Sequence, residues 1–193
     1  MNLSLYRNQE FDRGAPGWKE ALWHLVKNIF FLQSWPLPSA FRCFLLRIFG
    51  ARIGKGVVIR SGVNVSFPWL LEIGHHVWLG EEVFILSLAP VSIGSHVCIS
   101  QRALLCTGSH DFSRETFDLL TSPIDIQSHS WIAAGAFVSP GTVIGEHSMV
   151  TAGTVVSKHL PPHSVACGNP AQIRPRNSKE LHENTPRQPI RSA

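Results

Sequence analysis

The residue with the clearest chemical potential in the sequence is His110, at the end of the segment Cys106-Thr107-Gly108-Ser109-His110. An ordinary imidazole has a pKa of about 6.5, so it can accept a proton from a hydroxyl group near neutral pH. Such general-base assistance is typically worth about 10² to 10⁴ in rate. A histidine at the start of a loop can also serve only to cap that loop. Which of the two roles applies to His110 depends on the elements that surround it.

Asp111 follows His110 directly and has two open interpretations. Its carboxylate can orient the imidazole or accept a hydrogen bond from a substrate hydroxyl. An aspartate that begins a loop also commonly caps its own backbone.

The element that must position His110 is a repeat with a period of six residues. Aliphatic residues recur at this spacing in sets of three, namely Ile53, Ile59, Val65, Ile73, Leu79, Ile85, Ile93, Ile99, Leu105, Ile126, Ile132, Val138, Ile144, Val150 and Val156. A period of six matches neither an α-helix nor a coiled coil. It predicts an all-β fold, a parallel β-helix of about five triangular coils, in which each hexad supplies one short strand and one corner.

The corners and the breaks in the repeat agree with this prediction. Glycine often stands at the fourth place of a hexad, where we expect positive φ, at Gly56, Gly62, Gly108, Gly135, Gly141 and Gly153. The longest break is the fifteen-residue segment 111–125, which we expect to protrude as a loop. A repeat scaffold specifies no chemistry, so the site belongs where His110 meets this loop.

Three regions are expected along the chain. Residues 1–50 form an aromatic-rich N-terminal segment with two short helices within 17–49, residues 51–176 form the β-helix, and residues 177–193 form a polar tail. The helices either cover the open end of the prism or dock at a membrane interface. The uncharged stretch 28–41 is too short to span a bilayer.

Charge and composition exclude several classes of protein. A formal charge of +4 is mild, and the basic residues form no run with interleaved aromatics, so nucleic acid is not an expected partner. The four cysteines are far apart and predict neither a zinc knuckle nor a disulfide framework. Charged residues from Arg7 to Arg13 precede any apolar stretch, so we expect no signal peptide and a cytoplasmic location.

Six motifs together carry a resemblance to a known family. They are residues 106–112, Ser122-Pro123-Ile124, Trp131-Ile132-Ala133-Ala134, Ser157-Lys158, Leu160-Pro161-Pro162 and Gly168-Asn169-Pro170-Ala171. With them, residues 50–176 resemble the hexapeptide-repeat acetyltransferases, and among these the colanic-acid-type exopolysaccharide O-acetyltransferases.

The resemblance implies a left-handed prism, a homotrimer, and acetyl-CoA bound as co-substrate between neighbouring chains without a metal. It implies transfer of acetyl to a hydroxyl of a sugar or saccharide in exopolysaccharide biosynthesis, in the cytoplasm or at the inner face of the membrane. His110 then matches the catalytic base, and Asp111, Ser87 and Trp131 are expected at the acceptor. Cofactor contacts are expected from Trp131, Ala134, Ala152, Ser157, Lys158 and Arg174.

Four histidines share one place in successive coils and form a second pattern, at His76, His96, His129 and His147. Their rings are expected to stack along one edge. A relative with the same fold, the γ-class carbonic anhydrase, binds metal through prism histidines, but its pair with four residues between is absent here. A metal-dependent hydratase of this type stays open as one alternative to an acetyltransferase. A non-catalytic scaffold is the other.

Overall fold

A computed structural model describes residues 1–7 and 11–176 of the 193-residue chain. The expected polar tail, 177–193, lies outside the described residues. Two helices precede the strands, α1 (Gly17–Phe30) and α2 (Ser39–Ile48). Pro16 and Pro38 stand at their N-caps, in the extended conformation that an N-cap residue adopts. The prediction of two short helices is confirmed.

Short strands follow in a regular succession. Before the loop they are β1 (Arg52–Ile53), β2 (Val58–Ile59), β3 (Asn64–Val65), β4 (Leu71–Ile73), β5 (Trp78–Leu79), β6 (Phe84–Leu86), β7 (Val91–Ile93), β8 (Cys98–Ile99) and β9 (Leu104–Cys106). The loop contributes β10 (Gly108–His110) and β11 (Leu119–Thr121). After it come β12 (Ile124–Ile126), β13 (Trp131–Ile132), β14 (Phe137–Val138), β15 (Val143–Ile144), β16 (Met149–Val150), β17 (Val155–Val156), β18 (Ser164–Cys167) and β19 (Gln172–Pro175).

Parallel pairing stacks these strands into three faces of a prism. Face A contains β1, β4, β7, β12 and β15; face B contains β2, β5, β8, β13, β16 and β18; face C contains β3, β6, β9, β14 and β17. The corners between them are named edge AB, edge BC and edge CA, after the two faces that each corner connects in chain order. The parallel β-helix predicted from the repeat is confirmed.

The register follows the aliphatic repeat. Ile73 pairs with Ile53 on one side and with Ile93 on the other, and the column continues through Ile126 to Ile144. Apart from the partly buried Ile53, the repeat aliphatics are no more than 2% exposed. The core is therefore the column of inward side chains inside the prism.

A partial sixth coil extends the five that the sequence predicts. Leu160 forms a parallel bridge with Ile144, and β18 continues face B. Leu160 comes four residues after Val156 instead of six, so the period does not detect it.

The corners adopt positive φ, as expected, at every predicted glycine except Gly108. Gly108 lies in β10 and starts an antiparallel hairpin with β11, in which it pairs with Thr121. The prediction of a corner there is wrong because the chain leaves the prism at this point instead of turning. The excursion is thus a hairpin that begins at 108, and β12 resumes the prism at Ile124.

The N-terminal helices cover the first coil of the prism. Trp23 and Phe31 on the α1 side and Leu46 on α2 are fully buried and belong to the same core as the prism aliphatics. The indole Nε1 of Trp23 donates a hydrogen bond to the carbonyl of Val65 at 2.9 Å. The buried guanidinium of Arg42 donates to the carbonyl of Leu37, in the connection between the helices, at 2.8 Å. Within 1–7 and 11–176 no helix is long and apolar enough to cross a bilayer.

Candidate active site

His110 is held in one orientation by the hairpin to which it belongs. Its Nδ1 lies 2.9 Å from the carbonyl oxygen of Phe117, and its ring stacks on the Phe117 ring with centroids 4.3 Å apart and planes 2° from parallel. A carbonyl oxygen can only accept, so Nδ1 carries the proton of the neutral imidazole. Nε2 then keeps its lone pair, which is the arrangement that a general base needs.

The N-terminal segment reaches the same place. The ring of Tyr6 meets the ring of His110 edge to face, with centroids 5.7 Å apart, and the backbone N–H of Asn2 donates to the carbonyl of Glu115 at 2.8 Å. Sequence reasoning missed Tyr6 and Phe117, because neither belongs to the repeat. The only available signal was that Tyr6 is the single tyrosine of the chain.

Asp111 caps the loop, the second of its two interpretations. Its Oδ1 accepts hydrogen bonds from the hydroxyl and the backbone N–H of Ser113, at 2.5 and 3.0 Å. These two bonds, with a smaller contribution from the Arg114 charge, lower the pKa of Asp111 below its usual value. Arg114 also binds Asp118 at 2.9 Å, so that a small polar network fixes the loop.

Ser87 does not reach the surface, although it was expected at the acceptor. It is fully buried on edge CA, where its Oγ donates to the carbonyl of Phe67 and accepts from the N–H of Phe67. The hydroxyl therefore replaces a backbone partner between adjacent coils. Ser87 therefore has a structural role.

Trp131, Ala134 and Ala152 line a different part of the prism from His110. Trp131 is half-exposed on face B, and its Nε1 donates to Ser100 Oγ at 2.9 Å. Ala134 and Ala152 are exposed on edge BC in successive coils. The space beside the glycines that follow them is open, since a Cβ at Gly135 or Gly153 would meet no atom within 4 Å. Edge BC thus offers a smooth track on which an extended chain can lie.

Three further residues expected to contact the cofactor are also separated from His110. Ser157 and Lys158 are exposed on edge CA after β17, while Arg174 lies in β19, antiparallel to β18. His110 leaves edge CA two coils earlier. Within one chain the structure therefore does not gather the base and the expected cofactor residues into a single pocket.

The histidine stack is confirmed and is longer than expected. Successive centroids from His76 to His147 are 5.3, 4.9 and 4.6 Å apart, and His163 adds a fifth ring at 5.0 Å. All five members have positive φ, which histidine tolerates better than most residues. Parallel rings do not converge on one point, and the described part of the chain contains no group of three or more His, Cys, Asp or Glu placed to hold a metal.

Known proteins are similar to this chain in sequence and in architecture. The colanic acid biosynthesis acetyltransferase WcaF of Escherichia coli strain K12 is 42% identical over 173 residues, which cover 90% of this chain and 95% of the relative. The galactoside O-acetyltransferase of the same strain is 28% identical over 156 residues, covering 79% and 77%. No protein-family model matches the chain.

A solved structure agrees with these relatives. It is a hexapeptide-repeat acetyltransferase from Vibrio cholerae O1 biovar eltor in complex with acetyl-CoA, with a TM-score of 0.77, 25% identity, and coverage of 90% of this chain and 97% of that one.

This chain belongs to the hexapeptide-repeat acetyltransferases. It is an acetyl-CoA-dependent acyltransferase. The alternatives of a hydratase and of a non-catalytic scaffold are set aside by this relationship.

Proposed function

We propose that this acetyltransferase moves acetyl from acetyl-CoA to a hydroxyl of a sugar or saccharide in exopolysaccharide biosynthesis, with His110 as general base. The observation that carries the proposal is the bond between His110 Nδ1 and the Phe117 carbonyl, 2.9 Å, which leaves Nε2 able to take a proton. The 42% identity to the colanic acid relative supports the class of acceptor.

In the proposed reaction the acceptor oxygen attacks the thioester carbonyl carbon while Nε2 of His110 takes the hydroxyl proton. A C–O bond forms and the C–S bond breaks, with its electron pair leaving on sulfur. The imidazolium passes its proton to the thiolate. The products are the O-acetyl ester and free CoA, and no acyl-enzyme is needed.

We propose further that the active unit is a homotrimer with sites between chains. Outward residues on face A are mostly polar (Arg52, Glu72, Ser92 and Asp125), whereas those on faces B and C are mostly apolar. The apolar outward residues include Trp78, Cys98, Trp131, Met149, Phe84, Leu104, Phe137 and Val155. Two apolar faces and one polar face suit three prisms packed around a common axis. In the proposed trimer the hairpin of one chain lies beside edge BC of the next, so that acetyl-CoA on Ala134 and Ala152 meets a neighbour's His110.

We place this activity in the cytoplasm, where acetyl-CoA is made, and at the inner face of the membrane, where a saccharide acceptor carried on a lipid is accessible. The apolar exposure of the N-terminal helices supports the second part of this location.

Release of CoA from acetyl-CoA, followed with a panel of sugars, nucleotide sugars and oligosaccharide repeat units, tests the reaction. We expect acceptor-dependent release in the wild type and a loss of about 10² to 10⁴ in His110→Ala. His24→Ala is the matched control, because His24 is an exposed histidine on α1, away from the hairpin. Equal rates in wild type and His110→Ala would remove His110 as the base.

A further inference from the structure

A cavity on edge BC joins the expected cofactor track to charged side chains of earlier coils. It has a volume of about 420 Å³ and is lined by Glu81, Glu82, Gln101, Arg102, Ala134 and Gly135. Ala134 and Gly135 belong to the track in the fourth coil, whereas the other four residues belong to the second coil (β4–β6) and the third coil (β7–β9). The track therefore leads into a polar part of the same cavity.

The charged side chains at this place form two ion pairs. Arg102 Nε binds Glu82 Oε2 at 2.7 Å, and Arg60 Nε, from the first coil, binds Glu81 Oε1 at 2.6 Å. These hydrogen bonds are the main reason that the pKa values of both carboxyl groups lie below the usual value, so both groups are ionised at neutral pH. Two cations balance two anions, and the cluster has no net charge.

The backbone under Glu82 and Arg102 is unfavourable for such residues. Both have positive φ, +59° and +58°, at the corner where other coils of edge BC have Gly62, Gly135 and Gly153. Positive φ is uncommon for residues other than glycine. The two side chains are 58% and 75% exposed, and exposed ion pairs contribute little to stability. Their contribution to folding therefore does not account for this conformation, whereas a role in a binding site does.

The symmetry of the proposed trimer sets Arg102 opposite the base. A rotation about an axis parallel to the prisms moves no residue along that axis, so each coil is level with the same coil of its neighbour. His110 leaves the third coil on edge CA, and Arg102 lies in the third coil on edge BC. A neighbour's His110 is therefore level with Arg102, whereas Ala134 and Ala152 lie roughly 5 and 10 Å further along the axis.

The two sides of the base then take different substrates. The residues expected to contact acetyl-CoA all lie in the fourth coil (β12–β14) or beyond it, so the donor extends from the base toward the later coils. Glu82 lies in the second coil, on the opposite side of the base. That side is left for the acceptor. Sugar hydroxyls both donate and accept hydrogen bonds, and carboxylate and guanidinium groups supply the matching acceptors and donors.

We propose that Glu82 and Arg102 bind the acceptor and select a neutral sugar unit with adjacent free hydroxyl groups. Both guanidinium groups of the cluster are already paired with carboxylates, so neither is available to the carboxylate of an acidic sugar. Such a sugar would also be repelled by Glu82. The proposal rests on the proposed function and its trimer, and it supplies the acceptor contact that was expected from the buried Ser87.

Steady-state kinetics with a neutral saccharide and its uronic acid counterpart tests the selection. Glu82→Gln keeps the shape of the side chain but leaves Arg102 unpaired. We expect kcat/KM for the acidic acceptor, relative to the neutral one, to rise about fivefold, as a unit charge at close range would give. Arg102→Gln leaves Glu82 unpaired and is expected to shift this ratio in the opposite direction. The KM for acetyl-CoA should stay unchanged in both variants.

The ion pair between Arg52 and Glu72 is the matched control. It joins adjacent coils across the same separation of 20 residues as the pair of Glu82 and Arg102, and it is similarly exposed, but it lies on face A. Glu72→Gln is expected to leave the ratio unchanged. A ratio that changes equally in Glu72→Gln and Glu82→Gln, or in neither, would overturn the proposal.

A double glycine variant separates binding from folding. Replacing Glu82 and Arg102 together by Gly reproduces the corner of the other coils, so the melting temperature is expected to stay the same or to rise. The KM for the neutral acceptor is expected to rise about tenfold, because hydrogen bonds to charged groups are lost. A lower melting temperature with an unchanged KM would give the pair a structural role and contradict the proposal.

The wild type distinguishes failure of this proposal from failure of the proposed function. An active wild type whose selectivity does not depend on Glu82 and Arg102 would contradict only the assignment of the acceptor side. A wild type that releases CoA with no saccharide at all would contradict both.

Discussion

The ring of His110 stacks on Phe117 while its Nδ1 is bonded to the carbonyl of the same residue, 2.9 Å away. One residue thus fixes both the plane of the base and its tautomer. Phe117 does so at φ +52°, a conformation uncommon for a bulky side chain. The hairpin therefore orients His110 only as long as it holds the backbone of Phe117 in this conformation.

Substitution of Phe117 separates the two contacts. Phe117→Asn keeps the carbonyl and tolerates the positive φ, but it removes the stacked ring. Aromatic stacking is worth about 0.5–1.5 kcal/mol, so we expect kcat/KM to fall about 2- to 10-fold. Phe112→Asn is the control, because Phe112 is an exposed aromatic in the same loop. Full activity in Phe117→Asn would mean that the carbonyl bond alone positions the base.

Tyr6 is expected to act on the acceptor side of the site. Its ring contacts that of His110 beyond edge CA, whereas the expected cofactor residues Ala134 and Ala152 lie on edge BC. We therefore expect Tyr6→Leu to raise the KM for the acceptor about 3- to 10-fold, as one lost aromatic contact would, with the KM for acetyl-CoA unchanged. Steady-state kinetics with each substrate varied in turn measures this, and Tyr6→Phe, which keeps the ring, is the control.

A spectroscopic measurement can check the same contact without kinetics. Because Tyr6 is the single tyrosine, 3-fluorotyrosine labelling gives one ¹⁹F resonance from this position. We expect acceptor to shift it in the wild type. A resonance that moves with acetyl-CoA but not with acceptor would place Tyr6 on the donor side.

The repeat made much of this structure predictable, because inward aliphatics and corners recur at a spacing that only a coil of the prism explains. The column from Ile53 to Ile144 and the stack from His76 to His147 follow directly from it. Contacts between aperiodic segments did not follow, since no local pattern links Tyr6 to His110. Ser87 shows a different limit: its place on edge CA follows from the repeat, but whether its hydroxyl faces solvent depends on the neighbouring coil.

Acid is expected to loosen the hairpin. Hydrogen bonds from Ser113 lower the pKa of Asp111, and those from Thr116 and Arg114 lower the pKa of Asp118. A lowered pKa in the folded state contributes stability above the ordinary aspartate value, about 3.9, and that stability is lost as the pH falls through the lower folded value. Loop order should therefore be constant from neutral pH to about pH 4 and decline below it.

Amide hydrogen exchange at Ser113, corrected for the intrinsic pH dependence, measures this loss of order. Asp111→Asn keeps an oxygen acceptor without the charge, so its exchange should depend less on pH in this range. If wild type and variant showed the same pH dependence, the carboxylate of Asp111 would not be what orders the loop.

Complementation between two inactive variants tests whether the site lies between chains. His110→Ala removes the base, and Ala134→Trp fills the exposed track on edge BC without disturbing the core. If each site takes His110 from one chain and Ala134 from its neighbour, each mixed trimer regains one of its three sites, so random equal mixing restores about a quarter of wild-type activity and the isolated mixed trimers have about a third. Co-expression with two affinity tags isolates the mixed species, and co-expression of His110→Ala with itself is the control. Mixed trimers without activity would place base and track in the same chain, which the separation of edges CA and BC makes unfavourable.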